Sequence, residues 1–247
     1  MIRENTHHRL WEIDFLRGIA IVVMICFHFL YDLNLFGITH LSLYSGFFFF
    51  LAYGTASLFI ILFGISLTMK FSQLKKSHQP RSIYLSNVIR GIKIFALGLI
   101  ITLVTFWYIP NRFIVFGILH FIGLSLMISY PFLSYKLRNV FIGLVFILIG
   151  YYLRIFSFDF SWGLPIGFIP QGFSTVDYFP FFPWFGVVLI GIAIGNIVYW
   201  NGERRYLLRD YSNRFPIPLF CFLGRNSLII YFLHQPVLLG LIYLFLQ

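Results

Sequence analysis

Long apolar stretches dominate the chain, and polar residues collect in the short segments between them. A helix rises about 1.5 Å per residue, so roughly 20 apolar residues cross a hydrocarbon layer of about 30 Å. Seven stretches meet or nearly meet that length: Ile13–Gly37, Gly46–Lys70, Tyr84–Ile109, Phe113–Leu133, Asn139–Phe156, Pro180–Trp200 and Leu223–Gln247. The pattern predicts an all-α fold, a polytopic membrane helical bundle of about seven helices that forms a single domain over residues 1–247.

Two of the intervening segments also carry a prediction. Phe215–Leu223 is apolar but short, and Pro216 and Pro218 argue against a full crossing. We expect this segment to approach the last helix along the interface, and an eighth membrane segment stays open. Ser157–Phe179 is rich in glycine, proline and aromatic residues, so we expect a structured cap or lid there.

The composition agrees with a membrane protein and raises a question about charge. The chain is 60% hydrophobic and 11% charged, whereas soluble domains carry about 25% charged residues. Its net charge of +10 would suggest a nucleic-acid partner in a soluble protein. The positions of the charges therefore decide what the excess means.

The basic residues fall almost entirely on one side of the predicted bundle. Twelve lie in one set of connections: Arg3, Arg9, Lys70, Lys75, Lys76, Arg81, Lys136, Arg138, Arg204, Arg205, Arg209 and Arg214. The opposite set holds only Arg112 and Arg154. Cytoplasmic loops are enriched in lysine and arginine, so we expect a cytoplasmic N-terminus, an extracytoplasmic C-terminus and a location in the cell membrane. The lipid bilayer accounts for this charge, and no nucleic acid is needed.

Four polar residues of the first predicted helix lie on one stripe. At 100° per residue, Asp14, Arg17, His28 and Asp32 share a face over roughly 27 Å. Charged side chains at membrane depth are costly and usually face a bundle interior or a water-filled cavity. Arg17 suits phosphate or carboxylate, His28 can act as a base or nucleophile, and Asp32 can orient the imidazole one turn away. The alternative is structural: an Asp14–Arg17 ion pair and a His28–Asp32 packing hydrogen bond.

This helix resembles the opening helix of multipass membrane acyltransferases. The spacing Arg17-x10-His28 is similar to the Arg-x10-His motif of the family that O-acylates cell-surface sugars. The whole chain resembles a sister family more closely, the heparan-α-glucosaminide N-acetyltransferase catalytic-domain proteins in their short prokaryotic form. The segments that carry this resemblance are Ile13–Ala20 with Met24 and His28, Phe63–Ser66, Phe116–His120, Asp177–Pro180 with Phe182–Gly186, Leu223–Ser227, Tyr231 and His234–Pro236.

The resemblance implies acyl transfer across the membrane, from cytosolic acyl-CoA (acetyl-CoA as the expected form) to an amine or hydroxyl of an extracytoplasmic sugar or glycan. His28 then corresponds to the catalytic base and Arg17 to a residue that faces CoA. Lysosomal members carry their catalytic histidine after the first helix and an asparagine near the position of His28. By that comparison His40 is the loop histidine, and the choice between His28 and His40 stays open.

Further residues are candidates for each substrate. A cationic inner mouth of Arg17, Arg90, Lys93 and Arg225 suits the phosphates of CoA, with Asp14 and Asn226 beside it; lipid headgroups are the alternative partners of Arg90 and Lys93.

On the acceptor side the candidates are His40, His120, His234 and Asp177. His120 or His234 can supply the oxyanion donor, while a packed core histidine is the alternative for His120. Asp177 can instead cap a helix, and Tyr178 and Trp184 offer either a sugar platform or interfacial anchors.

Two other classes of function compete with acyl transfer. A small transporter or channel would use the stripe as a proton or ion path, although Arg17 is hard to place in a path for cations. A purely structural subunit gives no reason for the motifs. No cysteine–histidine cluster has metal-ligand spacing, and we expect no permanently bound cofactor. The sequence leaves open the acceptor, the acyl chain length, direct transfer versus an acyl-histidine intermediate, and the oligomeric state, with which a homo-oligomer is compatible.

Overall fold

The computed structural model describes residues 10–43, 45–75, 78–200 and 203–246. Four residues used in the sequence predictions, Arg3, Arg9, Lys76 and Gln247, lie outside these ranges. The regular secondary structure of the described residues is helical apart from one pair of two-residue strands. Its helices are α1 (Trp11–Leu35), α2 (Gly46–Leu74), α3 (Pro80–Tyr108), α4 (Ile118–Ile128), α5 (Leu137–Leu153), α6 (Phe181–Val198), α7 (Ile217–Arg225) and α8 (Ser227–Leu246). The strands β1 (Tyr199–Trp200) and β2 (Glu203–Arg204) pair antiparallel after α6.

Five of these helices are long and apolar enough to cross a membrane. They are α1, α2, α3, α6 and α8, the last over Ser227–Phe245. The other two predicted crossings contain shorter apolar helices, α4 with 11 residues and α5 with 17. The all-helical fold is therefore confirmed, while the number of crossings and the orientation of the N-terminus stay predictions.

The regular helix within the fourth predicted crossing is shorter than the apolar stretch. A 3-10 turn, Pro110–Arg112, precedes the stretch, and a second 3-10 turn, Tyr130–Phe132, follows α4. Pro131 has no N–H to donate to the Met127 carbonyl, so the α-helical hydrogen bonds do not continue through this turn. The regular helix thus covers only the middle of Phe113–Leu133.

The two prolines of Phe215–Leu223 stop a crossing but not a helix. Pro216 directly precedes α7 and Pro218 occupies its second position. Proline is tolerated in the first turn because the N–H it lacks has no partner within the helix. The segment therefore forms a helix of nine residues, too short to span a bilayer.

The described residues divide into two compact units. The first lies within Met1–Leu62 and Leu208–Gln247, and the second within Phe63–Leu207. In the first unit α1 packs against α7 and α8. In the second, α3 packs against α4 and α5 against α6. The single functional domain over residues 1–247 stays a prediction.

The predicted cap Ser157–Phe179 is an irregular segment tied to the residues before α4. The Val176 N–H donates to the Arg112 carbonyl at 3.2 Å, and the Phe179 N–H donates to the Phe116 carbonyl at 3.0 Å. The Tyr178 hydroxyl donates to the Leu164 carbonyl at 2.8 Å, and burial raises the pKa of this phenol well above its ordinary value. These bonds hold the segment on the second unit.

Candidate active site

The polar stripe of α1 meets protein at both of its ends within the first unit. Near the start of α1, Asp14 is 8% exposed and receives two guanidinium groups. Arg17 Nη1 donates to Asp14 Oδ1 at 3.2 Å, and Arg225 Nε donates to Asp14 Oδ2 at 3.2 Å. The predicted Asp14–Arg17 pair is thus part of a three-residue network. Glu12 is a second buried carboxylate in this first turn of α1, so two carboxylates accompany the two guanidinium groups.

Two glycines allow this network to form. A Cβ atom on Gly18 would overlap the carbonyl oxygen of Phe220, and one on Gly224 would overlap that of Asp14. The backbones of α1 and α7 therefore cross in direct contact, which sets Arg225 against Asp14. Both glycines lie within segments that the sequence singled out, so these two segments are parts of a single contact. Asn226 ends α7, and its side-chain amide donates to the Phe222 carbonyl at 2.9 Å.

Toward the other end of α1, two histidine rings face each other. The ring centroids of His28 and His234 lie 4.8 Å apart, with the planes at 83°. The Nδ1 atom of His28 lies 2.9 Å from the Met24 carbonyl, and that of His234 lies 2.6 Å from the Tyr231 carbonyl. A carbonyl only accepts, so each neutral imidazole carries its proton on Nδ1. Each Nε2 atom therefore presents a lone pair.

The predicted hydrogen bond between Asp32 and His28 is wrong. Asp32 is 0% exposed, and its Oδ1 atom accepts a hydrogen bond from Gln235 Nε2 at 2.7 Å. Side chains of a helix lean toward its N-terminus, so His28 reaches back to Met24 and away from Asp32. Asp32 instead ties α1 to α8, next to the residue that carries the second imidazole.

Several polar atoms around this histidine pair are buried without a hydrogen-bond partner. They are Asp32 Oδ2, His234 Nε2 and Gln235 Oε1. Buried polar atoms in folded proteins are almost always hydrogen-bonded, so an unmatched set at one place needs an explanation. All three accept hydrogen bonds, and a ligand that donates N–H or O–H groups is the partner that matches them.

Gln235 is the member of this cluster that the sequence did not single out. In the sequence it lies within His234–Pro236, one of the segments that carry the family resemblance. A polar amide in an otherwise apolar span is itself a signal of an interior position, because an unpaired amide is costly in lipid.

His40 lies on the exposed loop after α1, also in the first unit. The side chain of Asn34 holds this loop: its amide donates to the Leu41 carbonyl at 2.6 Å, and its oxygen accepts the Leu41 N–H at 2.9 Å. The position of His40 is therefore fixed locally. Its role stays a prediction.

Four other predicted site residues lie in the second unit. Arg90 and Lys93 are exposed residues of α3, and their binding of CoA stays a prediction. His120 is 2% exposed, and both of its ring nitrogens are engaged: Nδ1 accepts the Gly117 N–H at 3.3 Å, and Nε2 lies 3.3 Å from Thr102 Oγ1. The structure thus favours the packed core histidine over an acceptor-binding or oxyanion role.

Asp177 caps a helix, although a different one from the helix it precedes. Its Oδ2 atom accepts the N–H of Ile118 at 3.0 Å, at the start of α4. A carboxylate there also compensates the positive end of the helix dipole. Trp184 is 5% exposed and its ring centroid lies 4.8 Å from that of Phe179, so it is neither a sugar platform nor an interfacial anchor.

Among the described residues, no group of three or more histidine, cysteine, aspartate or glutamate side chains is arranged to hold a metal ion. The buried thiol of Cys221, whose Sγ lies 3.4 Å from the Trp11 carbonyl in the first unit, has a pKa raised by burial. It is therefore a protonated packing group rather than a nucleophile.

Comparison with known proteins identifies one family. The family model described as "Heparan-alpha-glucosaminide N-acetyltransferase, catalytic" matches residues 9–236, nearly the whole chain. No curated protein and no solved structure matches the chain. The match covers the Asp14 network, the histidine pair and the Asp32–Gln235 contact. The chain therefore belongs to the heparan-α-glucosaminide N-acetyltransferase catalytic family, a family of membrane acetyltransferases.

Proposed function

We propose that this protein transfers an acetyl group from cytosolic acetyl-CoA to an amine or hydroxyl of an extracytoplasmic sugar or glycan. The observation that carries the proposal is that two chemically different groups of side chains lie toward the two ends of α1 in the first unit. A network with two guanidinium groups lies at one end, and two imidazoles with available Nε2 atoms lie toward the other. Family membership supports acetyl transfer as the reaction class.

The network at the start of α1 suits the phosphates of the donor. Asp14 bonds one nitrogen of each guanidinium, which holds Arg17 and Arg225 against the same carboxylate. The planar guanidinium group matches the geometry of a phosphate. Arg225 keeps 46% of its side-chain surface exposed, which leaves it accessible to a ligand. In this proposal Asn226 adds to phosphate binding, and Asp14 positions its two arginines.

The separation of the two sites fits the shape of the donor. Fourteen positions separate Asp14 from His28, or about 21 Å along α1. Acyl-CoA carries its phosphates at one end and its thioester at the far end of a flexible pantetheine arm. A donor bound by Arg17 and Arg225 therefore extends its reacting carbonyl along α1 toward His28.

His28 acts as the general base in this mechanism. Its Nε2 lone pair takes a proton from the acceptor as the acceptor nitrogen or oxygen attacks the thioester carbonyl. The tetrahedral intermediate then breaks its C–S bond, and the leaving thiolate takes the proton from His28. The products are the acetylated acceptor and CoA with a free thiol. The acyl-histidine route, in which Nε2 itself attacks the thioester, uses the same atom.

The neighbouring residues have distinct parts. The carboxylate of Asp32, one turn from His28, favours the imidazolium through its charge rather than through a direct bond. Neutral His234 offers a lone pair at Nε2, so it accepts an N–H or O–H of the acceptor and does not donate to the oxyanion. His234 and the other buried hydrogen-bond acceptors without a partner therefore suit binding of the sugar that receives the acetyl group.

Proteoliposomes loaded with glucosamine and supplied with external acetyl-CoA test the proposal. We expect N-acetylglucosamine to accumulate inside, and His28→Gln to lower the rate at least about a hundredfold because general-base catalysis contributes about 10²–10⁴-fold. Acetyl-CoA affinity should stay within about threefold of wild type, because His28 does not bind the phosphates. The exposed His78 provides the control variant His78→Gln.

The same assay separates the competing assignments. Full activity of His28→Gln together with loss of activity in His40→Gln would move the base to the loop histidine. Movement of glucosamine across the bilayer without acetyl-CoA would favour a transporter instead.

A further inference from the structure

The connection between β2 and α7 holds two arginines against one aromatic ring. The guanidinium carbons of Arg209 and Arg214 lie 5.9 and 5.4 Å from the ring centroid of Tyr211. Both distances are within the range of a cation–π contact. The three residues belong to the first unit, and we refer to Arg209, Tyr211 and Arg214 as the arginine clamp.

The clamp is held by its own turn. The Arg214 N–H donates to the Tyr211 carbonyl at 2.9 Å, and the Ile217 N–H donates to the Arg214 carbonyl at 2.8 Å at the start of α7. The Ser212 N–H donates to Asp210 Oδ1 at 2.8 Å. The two arginine side chains are therefore presented from a defined backbone.

Neither arginine of the clamp forms an ion pair with any residue that the structure describes. A guanidinium in a cation–π contact interacts with the ring through its charge, and its N–H donors can still bind an anion. Two such groups beside one ring form a site for an anion with several oxygens. The preference for lysine and arginine in cytoplasmic loops explains the charge of this connection, but it does not explain two arginines on one ring.

The clamp lies near the Asp14 network of α1. The ring centroids of Tyr211 and Trp11 are 6.3 Å apart, with the planes at 89°. Trp11 is the first residue of α1 and precedes Asp14 by three positions, or about 4.5 Å along the axis. The clamp thus adds two guanidinium groups beyond the start of α1, close to the network that contains Arg17 and Arg225.

We propose that the arginine clamp binds the phosphates at the nucleotide end of the acyl-CoA donor. This rests on the proposed function, and it assigns a ligand to two residues that the sequence treats only as markers of orientation. CoA carries a diphosphate and a 3′-phosphate, so its nucleotide end presents more anionic oxygens than Arg17 and Arg225 satisfy alone. Bidentate contacts from arginine forks suit these groups.

Anionic lipid headgroups carry the same phosphate chemistry, so the test separates the two sources. The protein is placed in nanodiscs of neutral lipid and in nanodiscs with anionic lipid, and binding of CoA and of pantetheine is measured by calorimetry. The variant Arg209→Gln/Arg214→Gln is compared with Arg138→Gln, an exposed arginine at the start of α5.

In neutral nanodiscs we expect the double variant to weaken CoA binding at least about tenfold, the loss of one or two charge-assisted contacts. Pantetheine has no nucleotide, so its affinity should not change, and Arg138→Gln should bind CoA within about twofold of wild type. If the glutamine variant does not fold, Arg209→Lys/Arg214→Lys carries the test. It keeps the charge but loses the forks, and a CoA-specific loss of about threefold is expected.

Any of three results would overturn the proposal that the arginine clamp binds CoA. The double variant could bind CoA within twofold of wild type, it could lose affinity for pantetheine as strongly as for CoA, or its loss of CoA affinity could be confined to nanodiscs with anionic lipid. If the wild-type protein binds CoA and the double variant binds it with the same affinity, only the role of the clamp is excluded and the proposed function is unaffected. Wild-type protein that binds no CoA would overturn both.

Discussion

His120 of the second unit and the pair His28 and His234 of the first unit differ in what their ring nitrogens do. In the second unit, His120 has partners at both nitrogens, the Gly117 N–H and the Thr102 hydroxyl. In the first unit, His28 and His234 each bond one backbone carbonyl through Nδ1 and face each other. A fully bonded imidazole stabilises the fold, whereas an imidazole with an available Nε2 atom can accept a proton.

The carboxylates show the same contrast. Asp177 of the second unit caps α4 through the Ile118 N–H. Asp32 of the first unit is completely buried, bonds Gln235 through one oxygen and has no hydrogen-bond partner for the other. Burial alone therefore does not identify a functional residue in this protein. Single buried polar atoms without a partner also occur in the second unit, on Ser125 and Asn139. The informative feature of the first unit is that three such atoms, on Asp32, His234 and Gln235, lie on neighbouring residues around the histidine pair.

The largest effect should come from exchanging one histidine in each unit. We expect His234→Gln to lower kcat about a hundredfold in the proteoliposome assay, because the acceptor loses a partner and His28 its neighbouring imidazole. His120→Gln should lower thermal stability, since two buried bonds change, while the activity per folded molecule stays within about threefold.

Thermal unfolding monitored by fluorescence and kcat corrected for the folded fraction provide the two measurements. The proposed difference between the histidines would be wrong if His120→Gln lowered kcat as strongly as His234→Gln at an equal folded fraction.

A smaller effect should follow from the crossing of α1 and α7. Gly224→Ala places a methyl group against the Asp14 carbonyl, so α7 must move and the Arg225–Asp14 bond lengthens. Overpacking of this kind costs about 3 kcal/mol, which should appear as a lower melting temperature and weaker CoA binding. Gly240→Ala is the matched control, because nothing lies within 4 Å of its Cβ position. Equal melting temperatures and equal CoA affinities of the two variants would show that the crossing of α1 and α7 does not support the Asp14 network.

The smallest effect should come from the helix cap in the second unit. Asp177→Ala should destabilise the protein by about 1 kcal/mol, the usual loss for a removed cap, without changing KM for the acceptor. The exposed Asp159→Ala is the control and should be neutral. A raised acceptor KM in Asp177→Ala at unchanged stability would instead return Asp177 to the acceptor site.

The sequence correctly predicted an all-helical membrane protein and its family. Both rest on local information: the length of apolar runs sets a helical crossing, and the motifs follow one another in order along the chain. Local information did not reveal where each regular helix ends. A 3-10 turn at Tyr130–Phe132, with Pro131 at its centre, follows α4 within the fourth predicted crossing. Pro216 and Pro218 lie at the start of the nine-residue helix α7, and the place of this segment in the membrane stays a prediction.

The sequence also determined which residues of α1 share a face, because a helix repeats every 3.6 residues whatever its surroundings. Asp14, Arg17, His28 and Asp32 follow from that rule alone. It does not determine which of their atoms are bonded. Arg225 lies 211 positions from Asp14, and Gln235 lies 203 positions from Asp32.

Only the tertiary structure decided those partners, since no helical period relates residues so far apart. The contact of Gly18 and Gly224 sets α7 on α1, and the packing of α8 brings His234 and Gln235 to His28 and Asp32. It likewise placed Arg209 and Arg214 on one ring beside the start of α1, where the sequence offered only a positive charge. The sequence determined the chemistry available on each helix, and packing determined which of those groups remain available to bind.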